Sequence, residues 1–139
     1  MPKAELVHLI KRLSVLMNQH IDDVLKKHDI ARSQFQILYL INKSKSITQR
    51  ELLEILKVEP ATLSGLVDTL ESKGFVKRTL ALDKRSKKLK LSPAGQKAIT
   101  NIPHPGVLIE TTMMKGIRTS DKKLFKQIIN RVIENLESQ

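Results

Sequence analysis

Three stretches within residues 48–78 decide the fold: Thr48-Gln49-Arg50-Glu51-Leu52, Pro60-Ala61-Thr62-Leu63-Ser64 and Gly74-Phe75-Val76-Lys77-Arg78. Thr48 with Glu51 three residues on has capping-box spacing, in which the hydroxyl accepts from an open backbone N–H while the carboxylate reaches back. Leu52, Leu53 and Leu56 give the short helix that follows its buried side. Pro60 suits a first helical turn, where its missing N–H costs nothing. Leu63, Leu66, Val67 and Leu70 then fall at i, i+3, i+4 and i+7, the spacing of one apolar helix face. The opposite face is short-chained or polar: Ala61, Thr62, Ser64, Gly65, Asp68, Thr69 and Ser72. Gly74 is placed to end this helix.

Phe75–Leu80 and Lys87–Leu91 read as strands, and the residues between them, 81–86, make a loop too long for a tight hairpin turn. In the second strand Leu89 and Leu91 alternate with Lys88 and Lys90, giving one apolar and one basic face. Ser92-Pro93 reads as the N-cap and first position of a further helix. Upstream, apolar residues from Leu6 to Leu25 recur every three or four positions, predicting a long helix over 4–27. A helix of that length on a small domain needs a partner for its stripe, in its own chain or a second one. Residues 34–42, with Phe35, Leu38, Tyr39 and Ile41, predict a shorter helix after the break at His28–Ala31. Downstream, Pro103-His104-Pro105-Gly106 cannot sit in an unbroken helix. The helical pattern resumes around Val107–Ile117, and Ser120 can cap a last helix bearing Leu124, Phe125, Ile128, Ile129, Val132, Ile133 and Leu136.

The 139 residues are 40% apolar and carry 25 Lys+Arg against 14 Asp+Glu, a net charge of +11. That composition folds, so the basic excess belongs to a globular protein with an anionic partner. Lys77, Arg78, Lys84, Arg85, Lys87, Lys88 and Lys90 fall close together with Asp83 as their only acid. Aromatics at 3% argue against single-strand binders that stack bases. The absence of cysteine excludes disulfide scaffolds, thiolate zinc fingers and thiol redox sensing. No apolar run is long enough for a membrane span and no signal-peptide block leads the chain, so the expected location is cytoplasmic and nucleoid-associated. His8, His20, His28 and His104 lack the i, i+4 spacing of a helical metal pair, and adjacent Asp22 and Asp23 diverge on a helix. No enzyme, no cofactor and no metal are expected.

Two short helices with a tight link, then a basic hairpin, form a mainly α fold with a small β-hairpin wing: a winged helix-turn-helix. A helix with so little bulk on its outer side can sink into the major groove of double-stranded DNA. The hairpin tip suits the adjacent minor groove and its phosphates. Backbone N–H groups at the starts of the two short helices, near Thr48 and Pro60, can meet phosphates.

The three stretches, with Leu66-Val67-Asp68, Asp83-Lys84-Arg85 and Leu91-Ser92-Pro93-Ala94-Gly95, resemble the multiple-antibiotic-resistance regulator (MarR/SlyA) family over residues 30–100. The resemblance implies a single domain over 1–139, with an N-terminal dimerisation helix at 4–28, a winged region at 31–92 and C-terminal dimerisation helices at 93–139. It implies a homodimer on an inverted-repeat operator, acting as a repressor. Arg85 would enter the minor groove with Asp83 orienting it, and Thr62 and Ser64 would take base-reading positions. Thr48, Gln49, Arg50, Pro60, Ala61, Gly65, Thr69, Arg78, Lys84, Lys87 and Lys88 complete the implied DNA surface. Gly65 and Thr69 stand where many relatives carry larger or basic side chains, which shifts weight to shape readout and wing electrostatics. The resemblance also implies release by a small lipophilic or aromatic effector. Phe35 and Tyr39 would line its cleft, although Tyr39 lies on an apolar helix face and reads first as core.

Two other readings compete with the repressor. A ligand-independent architectural or activating DNA binder would show weak sequence preference. A protein-interaction winged helix would keep its DNA affinity when the wing charge is neutralised.

Overall fold

The computed structural model describes residues 3–80 and 87–139; the loop expected at 81–86 lies outside them. Leading into the site are α1 (Glu5–Lys26), α2 (Arg32–Ser44), β1 (Ile47–Thr48), α3 (Gln49–Leu56) and α4 (Pro60–Ser72). After them come β2 (Val76–Leu80), β3 (Lys87–Leu91), α5 (Pro93–Asn101), α6 (Pro105–Met113) and α7 (Thr119–Glu137).

Local chemistry sets most of these limits. Thr48 Oγ1 accepts from the Glu51 N–H at 3.1 Å and starts α3. The reciprocal half of the expected box is different: the Glu51 carboxylate accepts from the Thr48 hydroxyl, at 3.0 Å, instead of reaching the backbone. α3 closes on Lys57 in the left-handed region, φ 53°, and Val58 and Glu59 lead straight into Pro60 at the first turn of α4. Gly74, φ 78°, then ends α4, with Phe75 N–H bonded to Leu70 O and Gly74 N–H to Glu71 O. Those two bonds close the last turn in a Schellman arrangement, which a left-handed glycine permits at little cost. Ser92 caps α5 through the Gly95 N–H at 3.0 Å, and its own hydroxyl donates to Gly74 O.

Three expectations need correction. α2 begins at Arg32 and ends at Ser44, wider than the predicted 34–42, because polar residues at both ends continue the helix past its apolar stripe. α6 begins at Pro105 and stops at Met113, with Gly116 at φ 76° forming the turn, so the helical pattern does not reach Ile117. α7 starts at Thr119 with Arg118 as N-cap, ahead of the predicted Ser120.

Strand β3 is central in an antiparallel sheet of order β1-β3-β2. β1 pairs Ile47 with Leu89 and Thr48 with Lys88. β2 pairs Val76 with Leu91, Lys77 with Lys90, Arg78 with Leu89 and Thr79 with Lys88. Leu89 is therefore turned to the core, where it meets Leu25, Ile37, Leu38, Ile41, Leu52, Leu63, Val67 and Leu70, all fully buried. Ile99 and Ile102 of α5 and its C-terminal end join the same cluster.

Contacts group the chain into two compact units, one ending at Pro105 and the other running Gly106–Gln139. The boundary falls inside the segment 93–139 that was expected to act together, at the proline pair that breaks the helix. Within the second unit, Lys122 Nζ on α7 pairs with Glu110 Oε1 on α6 at 3.2 Å. α7 buries none of its residues.

Two stability changes follow. A Cβ added at Gly95 would overlap the carbonyl oxygen of Phe75, so Gly95→Ala should destabilise by about 1–3 kcal/mol. Lys77 and Lys90 oppose each other across the sheet, so Lys90→Thr should stabilise the free protein by about 0.2–1 kcal/mol. Urea unfolding of each variant checks both; a neutral Gly95→Ala would contradict the close approach of α5 to the Phe75 backbone.

Candidate nucleic-acid interface

α4 separates its residues by face. Leu63, Val67 and Leu70 are fully buried, whereas Ala61, Thr62, Gly65, Asp68, Thr69 and Ser72 are exposed. At 100° per residue, Gly65 lies near the middle of the outward side, and nothing stands within 4 Å of where its Cβ would be. Thr69 Oγ1 donates to Gly65 O at 3.0 Å, which leaves its oxygen lone pairs for accepting. Pro60, Ala61 and Thr62 occupy the exposed first turn, and Ser64 is half-buried on the flank.

Beside that helix the outward face of the sheet carries Lys77, Lys88 and Lys90 with Thr48 and Thr79 among them. No carboxylate among the described residues pairs with these lysines. Lys87 is exposed at the start of β3 and Arg50 is exposed on α3. The predicted wing-tip residues Asp83, Lys84 and Arg85 lie outside the described residues.

Arg78 and Gln49, expected on the DNA surface, bond to each other and to α4. The Arg78 side chain is only 13% exposed. Its Nη1 meets Asp68 Oδ1 at 2.6 Å and Glu71 Oε1 at 3.5 Å. Nη2 donates to Ser64 O at 3.3 Å, and Nε donates to Gln49 Oε1 at 3.2 Å. Both side chains are used inside the protein. The strand period could have found this: β2 alternates, so Arg78 shares its face with Val76 and with the buried Leu89 opposite it.

The Phe35 and Tyr39 rings come together with centroids 6.2 Å apart and planes at 22°. Tyr39 is 37% exposed and lies outside the core cluster, against the expectation that it reads first as core. His104 meets both rings edge-on, at 5.9 Å from Phe35 and 5.2 Å from Tyr39. Its part was not read from the sequence; its place between two prolines in the helix break is the only hint.

The model of the MarR family matches residues 30–87, the segment that runs from the end of the α1–α2 turn through the first residue of β3. Over that segment the chain is similar to the MarR family. It is 29% identical over 129 residues to the multiple antibiotic resistance protein MarR of Salmonella typhimurium, covering 88% of this chain and 89% of that protein. It is 26% identical over 129 residues to the HTH-type transcriptional regulator YwoH of Bacillus subtilis, covering 93% and 94%. Its fold is similar to that of a mutant MarR from E. coli in a crystal with operator DNA, with a TM-score of 0.83 and 25% identity over 92% of this chain and 93% of that one. The Bacillus subtilis relative is named as a transcriptional regulator.

The outward face of α4 gives a two-signed prediction. Gly65→Ala should raise helix stability by about 1 kcal/mol, since the methyl group meets open space. The same methyl group should weaken DNA binding, because it stands where the helix backbone must approach the bases. Thermal melting and fluorescence anisotropy on one preparation check the pair. Higher stability with unchanged affinity would mean that this face is turned away from DNA.

Proposed function

We propose that this MarR-family DNA-binding transcription regulator acts as a homodimeric repressor, placing one α4 and one wing on each half of an inverted-repeat operator. The observation that carries the reading is the outward face of α4, cleared of bulk around Gly65 and flanked by a lysine-bearing sheet. Short side chains let the helix sit deep in the major groove, where Thr62 can reach base edges or thymine methyls. Arg50, Lys87 and Lys88 supply phosphate contacts, and backbone N–H groups at the start of α4 add to them. Arg85 enters the minor groove beside Asp83, as the resemblance implies.

Pairing of two chains is supported by apolar side chains left in water. On α1, Leu6 is 73% exposed, and Val7, Leu9 and Ile10 are exposed with it. On α7, Leu136 is 72% exposed, and Leu124, Phe125, Ile128, Ile129, Val132 and Ile133 are exposed along the same helix. Exposed apolar side chains gathered along each of these helices mark an association site. The Phe35–Tyr39–His104 cluster offers ring edges and faces to a flat aromatic acid, the effector whose binding would release the operator.

Sedimentation and selection from a randomised duplex test this reading together. The account expects a dimer and an inverted repeat with half-site centres about 10 base pairs apart. It also expects a salt slope of about −0.9 per phosphate contacted, flattened by Arg85→Ala. A monomer, or a selection that enriches no sequence, would contradict it. Benzoate-like acids titrated against a labelled operator should release wild type more readily than Tyr39→Ala; equal insensitivity of both would remove the effector from the account.

A further inference from the structure

The site that Arg78 occupies has the wrong charge for a phosphate. One guanidinium faces the carboxylates of Asp68 and Glu71, and its remaining donors go to Ser64 O and Gln49 Oε1. A second anion brought here would meet an environment that is already net negative. The arrangement is instead suited to holding helices. Ser64, Asp68 and Glu71 fall at i, i+4 and i+7, a single stripe along two turns of α4. Gln49 is the first residue of α3, and Arg78 itself stands in β2 opposite Leu89 of the central strand.

We propose that Arg78 is a positioning residue for sequence reading, whose guanidinium fixes the rotation of α4 about its own axis relative to α3 and the sheet. The proposal rests on the DNA-binding reading above and deepens it. Side-chain atoms on a helix stand about 5–6 Å from its axis. A rotation of about 20° therefore moves them by about 2 Å, more than a hydrogen bond to a base edge tolerates. Leu63, Val67 and Leu70 hold the inner side of the helix against the core, and hydrogen bonds at its flank add a directional restraint to that packing. The planar fork of Arg78, gripping both a carboxylate and a backbone carbonyl on one stripe, supplies that direction. Thr62, Gly65 and Thr69 lie off that stripe, on the outward side, so the residues that meet DNA are aimed by one that does not.

The test uses the full chain, a duplex carrying the sequence selected by wild type, and a scrambled duplex of equal length. Affinities for both are measured across a salt series for wild type, Arg78→Gln and Asp68→Asn. The expected result is a fall of about tenfold in the ratio of selected to scrambled affinity for both variants, with the salt slope unchanged. Asp68→Asn keeps the cation and removes the charge of its nearest carboxylate partner. The Asp68 side chain is 62% exposed, so this variant carries the test if Arg78→Gln melts. A slope flattened by about 0.9 for each Arg78 lost, with the ratio kept, would make Arg78 a phosphate contact and overturn the proposal. An unchanged ratio in both variants would overturn it too, since a residue that only adds stability lowers the melting temperature and leaves selectivity alone. Wild type that fails to distinguish the two duplexes would bring down the DNA-binding reading itself.

Discussion

Strand β3 must keep its alternation, and the rest of the site depends on that constraint. Leu89 is fully buried between Ile47 of β1 and Arg78 of β2, while Lys88 and Lys90 stand on the other face. A slip of one residue would drive two ammonium groups into the core and lift Leu89 into water, a double cost that pins the register. The same pleat sends Val76 and Arg78 inward and Lys77 outward. One periodicity thus sorts the cations of the hairpin into those that hold the protein together and those left facing solvent.

The recognition helix carries a matching division of labour. Its inner side is ordinary packing, with Leu63, Val67 and Leu70 in the core. Its outer side gives up helix propensity and burial for access, and Gly65 is the clearest case: a glycine inside a helix with open space around it. No left-handed conformation and no close neighbour explains that glycine. The close approach to DNA proposed for this face would account for it. The lysine pair at Lys77 and Lys90 has a similar logic, since directly opposed like charges cost the free protein something and favour an anion nearby.

Much of this was legible in the residues themselves, for physical reasons. Thr48, Pro60, Gly74 and Ser92-Pro93 act on the backbone within a turn of their own position, so their effect is local and can be read locally. Strand β1 was not legible, because Ile47 and Thr48 pair only through Leu89 and Lys88, some forty residues on. The intramolecular partners of Arg78 were not legible in the basic run, because charge alone does not say which way the pleat turns each cation. His104 was missed because its ring contacts join α2 to the α5–α6 break, a long-range event with no sequence period. The expected tip residues Asp83 and Arg85 lie outside the described residues.

Amide hydrogen exchange of the full chain, with and without a duplex of the selected sequence, tests most directly that α4 and the sheet beside it grip DNA. The account predicts added protection at residues 60–69 and 87–91 when DNA is present, with little change over 119–137. Protection confined to 119–137, or none at 60–69 under conditions where the duplex is bound, would contradict it.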